Sequence, residues 1–416
     1  MRTHYDLVII GGGMVGASLV CALLPVASKL NLKIALIEQQ PLPTQEGQPF
    51  QPSYDARSTA LAYGVKSFYQ ATGLWDRLQE HLTPIEHIHV SDKGRFGVTR
   101  LHAKDEGVSA LGYVVENHWL GQVLLDHIQQ DTQGCVDLLC PASVDSVKPS
   151  AEKSELQVTY QDKQHAITAE LVVLADGGRS GLRQALNIHF NVQSYHQHAL
   201  VANVSLDRPH QGIAYERFTE RGPMALLPGE TLKREFRCGL VWTLPDEHIG
   251  ELLSLTDQQF LHELQQTFGY RAGRFTRVGE RYHYPLKLSL AEEQVRSGLV
   301  VLGNAAHALH PIAGQGYNLA LRGVTDLAEN IITSRQQGEK LGDLSRLQQY
   351  EQQRRLDQLQ TIQFSDRTMK LFSNANPLLG LGRSIGLQAM DLSPWIKTLF
   401  ARSAMGLDSP SLHLPR

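Results

Sequence analysis

Gly11, Gly13 and Gly16 carry the spacing G-x-G-x-x-G, and an acidic residue, Glu38, follows 22 positions after Gly16. In this pattern the first glycine permits a tight turn, the second lets backbone approach a pyrophosphate, and the third lets a helix pack closely on a strand. A helix that starts at such a turn offers unpaired N–H groups and a partial positive charge to an anion. The Glu38 carboxylate can accept hydrogen bonds from a ribose diol, and its charge opposes a 2′-phosphate. The chemistry implied is dinucleotide binding. Two distant stretches share this character. One is Asp176-Gly177-Gly178-Arg179-Ser180, with Arg183 beyond it. The other, GNAAHALHPIAGQGYNLALRGVTD at 303–326, places Gly314 and Gly316 where free backbone N–H groups can face an acceptor. A helix is expected to begin near Tyr317, with its N-terminus able to stabilise negative charge.

Each of these turns needs a strand before it and a helix after it. Residues 4–10 form a short apolar run, 14–24 place small and apolar residues at helical spacing, and 33–38 read as a second strand. LVVLA at 171–175 and the apolar run 299–302 read as buried parallel strands feeding a turn and a helix. The expected fold class is therefore α/β, with a Rossmann-like dinucleotide domain. Residues 7–28 carry no charge, and a run of 22 could span a bilayer. The glycines at 11–13 interrupt it, and Pro25 is expected to break its far end.

The chain has 416 residues, which suggests two to three domains. Hydrophobic residues make up 42% and charged residues 19%, values of a globular rather than a disordered chain. A net charge of −3 offers no basic excess for nucleic acid. The four cysteines are too few and too scattered for a disulfide framework. No G-x-S-x-G elbow appears, which argues against hydrolysis.

Taken together, the motifs resemble those of the flavoprotein aromatic hydroxylases of the para-hydroxybenzoate hydroxylase type. Their three fingerprints are the N-terminal glycine motif, an Asp-Gly motif, and Gly-Asp followed by A-A-H-x-x-x-P-x-x-G-x-G-x-N; here they fall at 11–16, 176–183 and 303–318. The resemblance runs through nearly the whole chain. It is greatest to the ubiquinone-biosynthesis branch that hydroxylates 2-polyprenyl-6-methoxyphenol, through DARSTALAYG (55–64), HIHVSDKGRFG (87–97), ALGYVVE (110–116), ERFTERGPMALLP (216–228) and HPIAGQGYN (310–318). It implies FAD as cofactor, NAD(P)H as electron donor, and O2 and a polyprenylated phenol as substrates, with a ubiquinone biosynthesis complex as a partner. The absence of a second strong glycine motif for the nicotinamide fits such enzymes.

By resemblance, the cofactor contacts are Gly11, Gly13, Gly16, Glu38, Arg57, Asp176, Arg179, Asn304, Gly314, Gly316 and Asn318, with His310 and Pro311 on the flavin's face. The usual Asp of the Gly-Asp pair, which contacts the ribityl chain in the family, is Asn304 here. Asn keeps an acceptor and adds a donor, so flavin binding need not fail. No acid or base for the substrate is assigned. His307 and His310 have metal-ligand spacing but no third ligand at suitable spacing follows, so no metal is expected. Two alternatives stay open: a sibling hydroxylase acting at another ring position or on a small soluble aromatic, and a flavin-binding, non-catalytic member of a biosynthetic complex.

The expected organisation is a discontinuous FAD domain (1–75, 102–183 and 286–340), a mostly antiparallel substrate-binding sheet (76–101 and 184–285), and a C-terminal helical region (341–416). Within 370–406, Lys370, Arg383, Lys397 and Arg402 face a single acid, Asp391, amid many apolar residues. Such a segment can rest on an anionic membrane surface or pack as a helical layer on the protein. The expected location is cytoplasmic, with peripheral contact at the membrane's inner face as the first of those two readings.

Overall fold

The computed structural model describes residues 1–42, 57–131, 133–232, 234–309, 315–372 and 393–407, together with 386, 388 and 391. The apolar strand His4–Ile10 is buried along almost its whole length, as a strand covered on both faces must be. It pairs in parallel with Ile34–Ile37 on one side and with the second half of Lys163–Leu174 on the other. Val136–Leu139 and Leu299–Val301 extend the parallel sheet outward. Ile10 lies level with Leu174 and Ile37, Leu174 with Val301, and Ile37 with Leu139. The turns that follow therefore emerge along one edge, and they carry Gly11, Glu38, Asp176 and Gly303. That carboxyl edge is where open α/β sheets bind ligands. The first half of Lys163–Leu174 instead continues into an antiparallel extension with Ser154–Tyr160 and Ala142–Lys148.

The helix Met14–Ala27 runs past the expected break, because Pro25 sits within its last turn. A proline there removes one backbone hydrogen bond. Burial of ten of its residues, against the helices Asn117–Gln129 and Gln315–Gln336, offsets that loss. The uncharged run 7–28 is thus a strand, a turn and a helix inside the core. Among the described residues, no helix is long and apolar enough to cross a membrane.

A second, nine-stranded sheet has the order His307–Ala308, Tyr282–Ala291, Phe190–Leu206, Phe236–Pro245, Gly222–Pro228, Ile213–Thr219, His87–Asp92, Val98–His102, with Phe275–Val278 also paired to Phe190–Leu206. It is antiparallel except where Ile213–Thr219 meets His87–Asp92 in parallel. The helices Asp246–Ser254 and Asp257–Phe268 cover one face through Leu252, Phe260, Leu264 and Phe268. The stretch 76–101 does not join this layer throughout. Leu82–Ile85 pairs with Gly112–Glu116 in a separate three-stranded sheet completed by Ser58–Ala62, and the chain enters the large sheet only at His87.

At the C-terminal end, Leu344–Phe372 lies along Gln315–Gln336. Arg354 is buried between them, donating to Asp326 (3.2 Å), Asp357 (2.6 Å) and the Leu319 carbonyl (3.2 Å). The helix Pro394–Ala404 packs Ala401, with Met405 just beyond it, against Ile85, Val114 and Ala214.

Candidate functional site

The glycine turn shows each position doing a different job. Gly11 has a φ of +108°, and a Cβ there would lie 2.5 Å from the Ala175 carbonyl oxygen. A Cβ on Gly16 would fall 2.0 Å from the Gly11 carbonyl oxygen, so strand and helix approach as closely as backbone allows. Gly13 is the N-cap of Met14–Ala27, with no side-chain cap on the first-turn N–H groups. A Cβ at Gly13 would meet nothing within 4 Å. Open space thus lies at the positive end of a helix, where a pyrophosphate would bind. The half-buried Glu38 sits beside it and accepts from the Gly12 N–H (2.7 Å) and the Gln40 N–H (2.8 Å).

Asp176 folds its own turn. Its carboxylate accepts from the Gly178 N–H (2.8 Å), the Ser180 N–H (2.9 Å) and the Ser180 hydroxyl, and Arg179 stands exposed on that turn. Arg183 stacks over Phe190 at 4.4 Å and donates to the Gly178 carbonyl (3.0 Å) and the Ala305 carbonyl (3.5 Å). It thereby ties the Asp176 turn to the Gly303 turn, where Asn304 is exposed. Gly316 lies in the first turn of Gln315–Gln336 with open space at its Cβ position. His310, Pro311 and Gly314 lie outside the described residues.

Two of the expected contacts also bond protein groups. Asn318 is 3% exposed, and its side-chain amide accepts from the Ala62 N–H (2.9 Å) and donates to the Ala60 carbonyl (3.0 Å). It acts on the site by holding the strand Ser58–Ala62 to the helix. Arg57 is exposed and donates to the Tyr284 hydroxyl (3.0 Å), so it bridges the three-stranded sheet and the large one.

Sequence reasoning missed a second clamp. The Tyr317 hydroxyl bonds Ser18 (3.0 Å) and Tyr69 (2.7 Å), joining three elements at the start of the helix. Burial pushes the Tyr317 hydroxyl up to about 12, so it stays protonated. His307 is neutral as well, since burial and the Arg354 charge push it down to about 4.

Ser58, Asn203 and Gly239 line two adjoining narrow clefts between the small and large sheets, each with room for about 20 Å³. One continues along Arg57, Val201, Leu227, Val241 and Tyr282. The other ends on the ion pair of Glu116 and Arg237 (3.2 Å) and on His81 with Glu230 (3.1 Å). Away from these clefts, His4, Asp6 and Glu170 could hold a metal ion by spacing, but the Arg335 guanidinium pairs with both carboxylates.

A parallel sheet with a glycine turn, an open helix N-terminus and an acidic second strand defines a dinucleotide-binding α/β protein. These residues fit FAD, because the gap at Gly13 lies where backbone alone would face its pyrophosphate. The chain belongs to the FAD binding domain family, which it matches over residues 4–365. It is 35% identical over 402 residues to the ubiquinone hydroxylase UbiL of Rhodospirillum rubrum, covering 96% of this chain and 89% of that one. It is also 28% identical to the 3-demethoxyubiquinol 3-hydroxylase of Escherichia coli, covering 97% and 98% of the two chains. The fold matches p-nitrophenol 4-monooxygenase PnpA from Pseudomonas putida with a TM-score of 0.77 at 15% identity, over 98% of this chain and 99% of that one. The protein is an FAD-dependent monooxygenase, a class whose usual electron donor is NAD(P)H.

Proposed function

We propose that the protein hydroxylates the ring of a polyprenylated phenol, 2-polyprenyl-6-methoxyphenol, in ubiquinone biosynthesis. The observation that carries this reading is its 35% identity to a ubiquinone hydroxylase along almost the full chain. The cleft beside Ser58 supports it: the apolar side chains of Val201, Leu227 and Val241 along it suit an apolar ring. In this reading the stretches 1–75, 102–183 and 286–340 hold the cofactor, and 76–101 with 184–285 receive the substrate. Gly11, Gly13, Gly16 and Glu38 would hold the adenosine and pyrophosphate end of FAD. Asp176, Arg179, Asn304, Gly314 and Gly316 would hold its ribityl and ring end, with Arg57 and Asn318 placing the strand between cofactor and substrate, and His310 and Pro311 on the ring's face. When bound, FAD supplies the redox chemistry, taking electrons from NAD(P)H and passing them to dioxygen. The chain's own residues orient the ring and exclude water while that chemistry proceeds.

Deleting the gene should cause 2-polyprenyl-6-methoxyphenol to accumulate, as measured by mass spectrometry of lipid extracts. Normal ubiquinone in the deletion strain would sink the proposal, and a different accumulated precursor would point to another ring position. The similarity to a 3-demethoxyubiquinol 3-hydroxylase is the observation that favours that second reading.

A lipid-borne substrate also gives the C-terminal helix a role, peripheral contact with the membrane. In Pro394–Ala404, Trp395 is 73% exposed and Leu399 50% exposed one turn apart, with Lys397 and Arg402 on the same short helix. Trp395→Ser with Leu399→Ser should lower co-sedimentation with anionic phospholipid vesicles about 10-fold or more, with an unchanged melting temperature. Equal sedimentation of variant and wild type would contradict this contact.

A further inference from the structure

We infer that Glu216 is the base that accepts the phenolic proton of the substrate, an assignment that rests on the hydroxylase reading above. On the strand Ile213–Thr219, side chains alternate between the faces of the large sheet. Tyr215 and Arg217 face the helices, with Tyr215 edge-on to Phe268 and Arg217 over the same ring. Ala214 faces the other way, packing with Ile85, Val114, Ala401 and Met405. Glu216 shares that inner face.

Register extends the argument across the sheet. Glu216 lies opposite Ala225, Ala225 opposite Val241, Val241 opposite Val201, and Val201 opposite Tyr282. The last three residues of this row line the cleft beside Ser58. Glu216 stands two strands from Val241, about 9–10 Å at the usual strand spacing. Between them lies Ala225 in the row, with Leu227 and Gly239 in the next, where a Cβ on Gly239 would meet only Asn203 Oδ1 at 3.8 Å. In this proposal the phenol ring lies over Ala225 and Gly239, beyond the cleft's own lining, with its hydroxyl at the half-buried Glu216.

Nothing on the surrounding elements neutralises that carboxylate among the described residues. Asp92, on the neighbouring strand, pairs with Arg95 (3.5 Å), and Glu116, across the cleft, pairs with Arg237 (3.2 Å). His81 pairs with Glu230 (3.1 Å), and Lys397, on the last helix, with Asp391 (3.7 Å). At the far end of the row, Tyr282 donates to Glu280 (2.6 Å) and Arg57 to Tyr284 (3.0 Å). Burial without a cation pushes the Glu216 carboxyl up to about 7, the range in which a general base works best. In the proton transfer the phenolic O–H bond breaks, the carboxylate gains the proton, and the negative charge stays on the substrate oxygen. That charge enriches the ring for attack by an electrophilic oxygen. The proton returns to solvent as product leaves.

The test uses the FAD-loaded enzyme, NAD(P)H and a short-chain 2-prenyl-6-methoxyphenol. Wild-type kcat should fall with a slope of one below pH about 7. Glu216→Gln should lower kcat about 10²–10⁴-fold and remove that ionisation, with unchanged FAD content and KM. Its melting temperature at pH 8 should be equal or higher, because a buried carboxylate has been removed. Glu216→Asp should recover part of the rate together with the ionisation. A wild-type profile without an ionisation near 7, or a Glu216→Gln enzyme that keeps the wild-type profile at any rate, overturns the assignment. Wild-type enzyme that hydroxylates no phenol of this class overturns the functional reading, and this inference with it.

Discussion

Gly13→Val should weaken FAD binding roughly 100- to 1,000-fold, about 2.8–4.2 kcal/mol at 1.4 kcal/mol per decade, while the apoprotein still folds. The two halves of this expectation come from the same geometry. A Cβ at Gly13 would meet no protein atom within 4 Å, so the branched side chain fits the apoprotein. It then occupies the space in front of the first-turn N–H groups of Met14–Ala27, which a pyrophosphate would need. The cost to the fold is limited to exchanging a glycine N-cap for a valine, about 1 kcal/mol or less. Titration of apoprotein with FAD by fluorescence quenching measures the first quantity, and a melting curve of the apoprotein the second. FAD affinity within threefold of wild type would show that the pyrophosphate does not lie at Gly13. Gly16→Val provides the contrast. Its Cβ would fall 2.0 Å from the Gly11 carbonyl oxygen, so it should damage folding as well as binding.

Arg354→Met should destabilise the protein by about 3–5 kcal/mol near neutral pH, the range for removing one partner of a buried ion pair. Arg354 is 2% exposed and serves both Asp326 and Asp357. Asp357 keeps Arg322 at 2.9 Å, but no second cation is paired with Asp326 among the described ion pairs. Burial already raises the Asp326 carboxyl above its usual value, against the pull of Arg354. Without the guanidinium the carboxyl rises further. An acid whose folded pKa is raised destabilises the fold increasingly as pH climbs from its unfolded value, near 4, through its folded value. The difference between variant and wild type should therefore be largest at pH 7–8 and shrink as pH falls toward 4. Urea unfolding midpoints across that range test it, and adding Asp326→Asn should restore part of the loss. A loss below about 1 kcal/mol at pH 7.5 would contradict the account.

The elements that carry the site were readable where local pattern and burial agree. The helix Asp257–Phe268 opens on a capping box formed by Thr256 and Gln259, a signal written in four adjacent residues. The strand, turn and helix at the N-terminus were readable because glycine spacing and apolar runs encode close approach within about 40 residues. Pro25 misled because proline reports a local cost, whereas the helix is held by burial against two distant helices. The clamp made by Asn318 was not readable for a related reason. Its place in a motif does not say where its amide points, and it points at Ala60 and Ala62, more than 250 residues earlier in the chain. Tyr317 with Ser18 and Tyr69, and Arg183 with Ala305, left no local trace, since each contact joins residues over 100 positions apart.

From its sequence dinucleotide binding and the carboxyl-edge turns could be derived, because they depend on backbone freedom at a few glycines and on short apolar strands, while FAD and the hydroxylase class followed from the resemblance of its motifs to a known family. The substrate side could not. Which face of a strand lines a cleft depends on register with strands from elsewhere in the chain, and register follows from which faces the whole fold buries. Glu216 in ERFTERG reads as one more surface acid. Only the pairing that sets it opposite Ala225, on the face turned away from Phe268, half-buries it with no ion pair among the described residues, the setting on which the proposed chemistry depends.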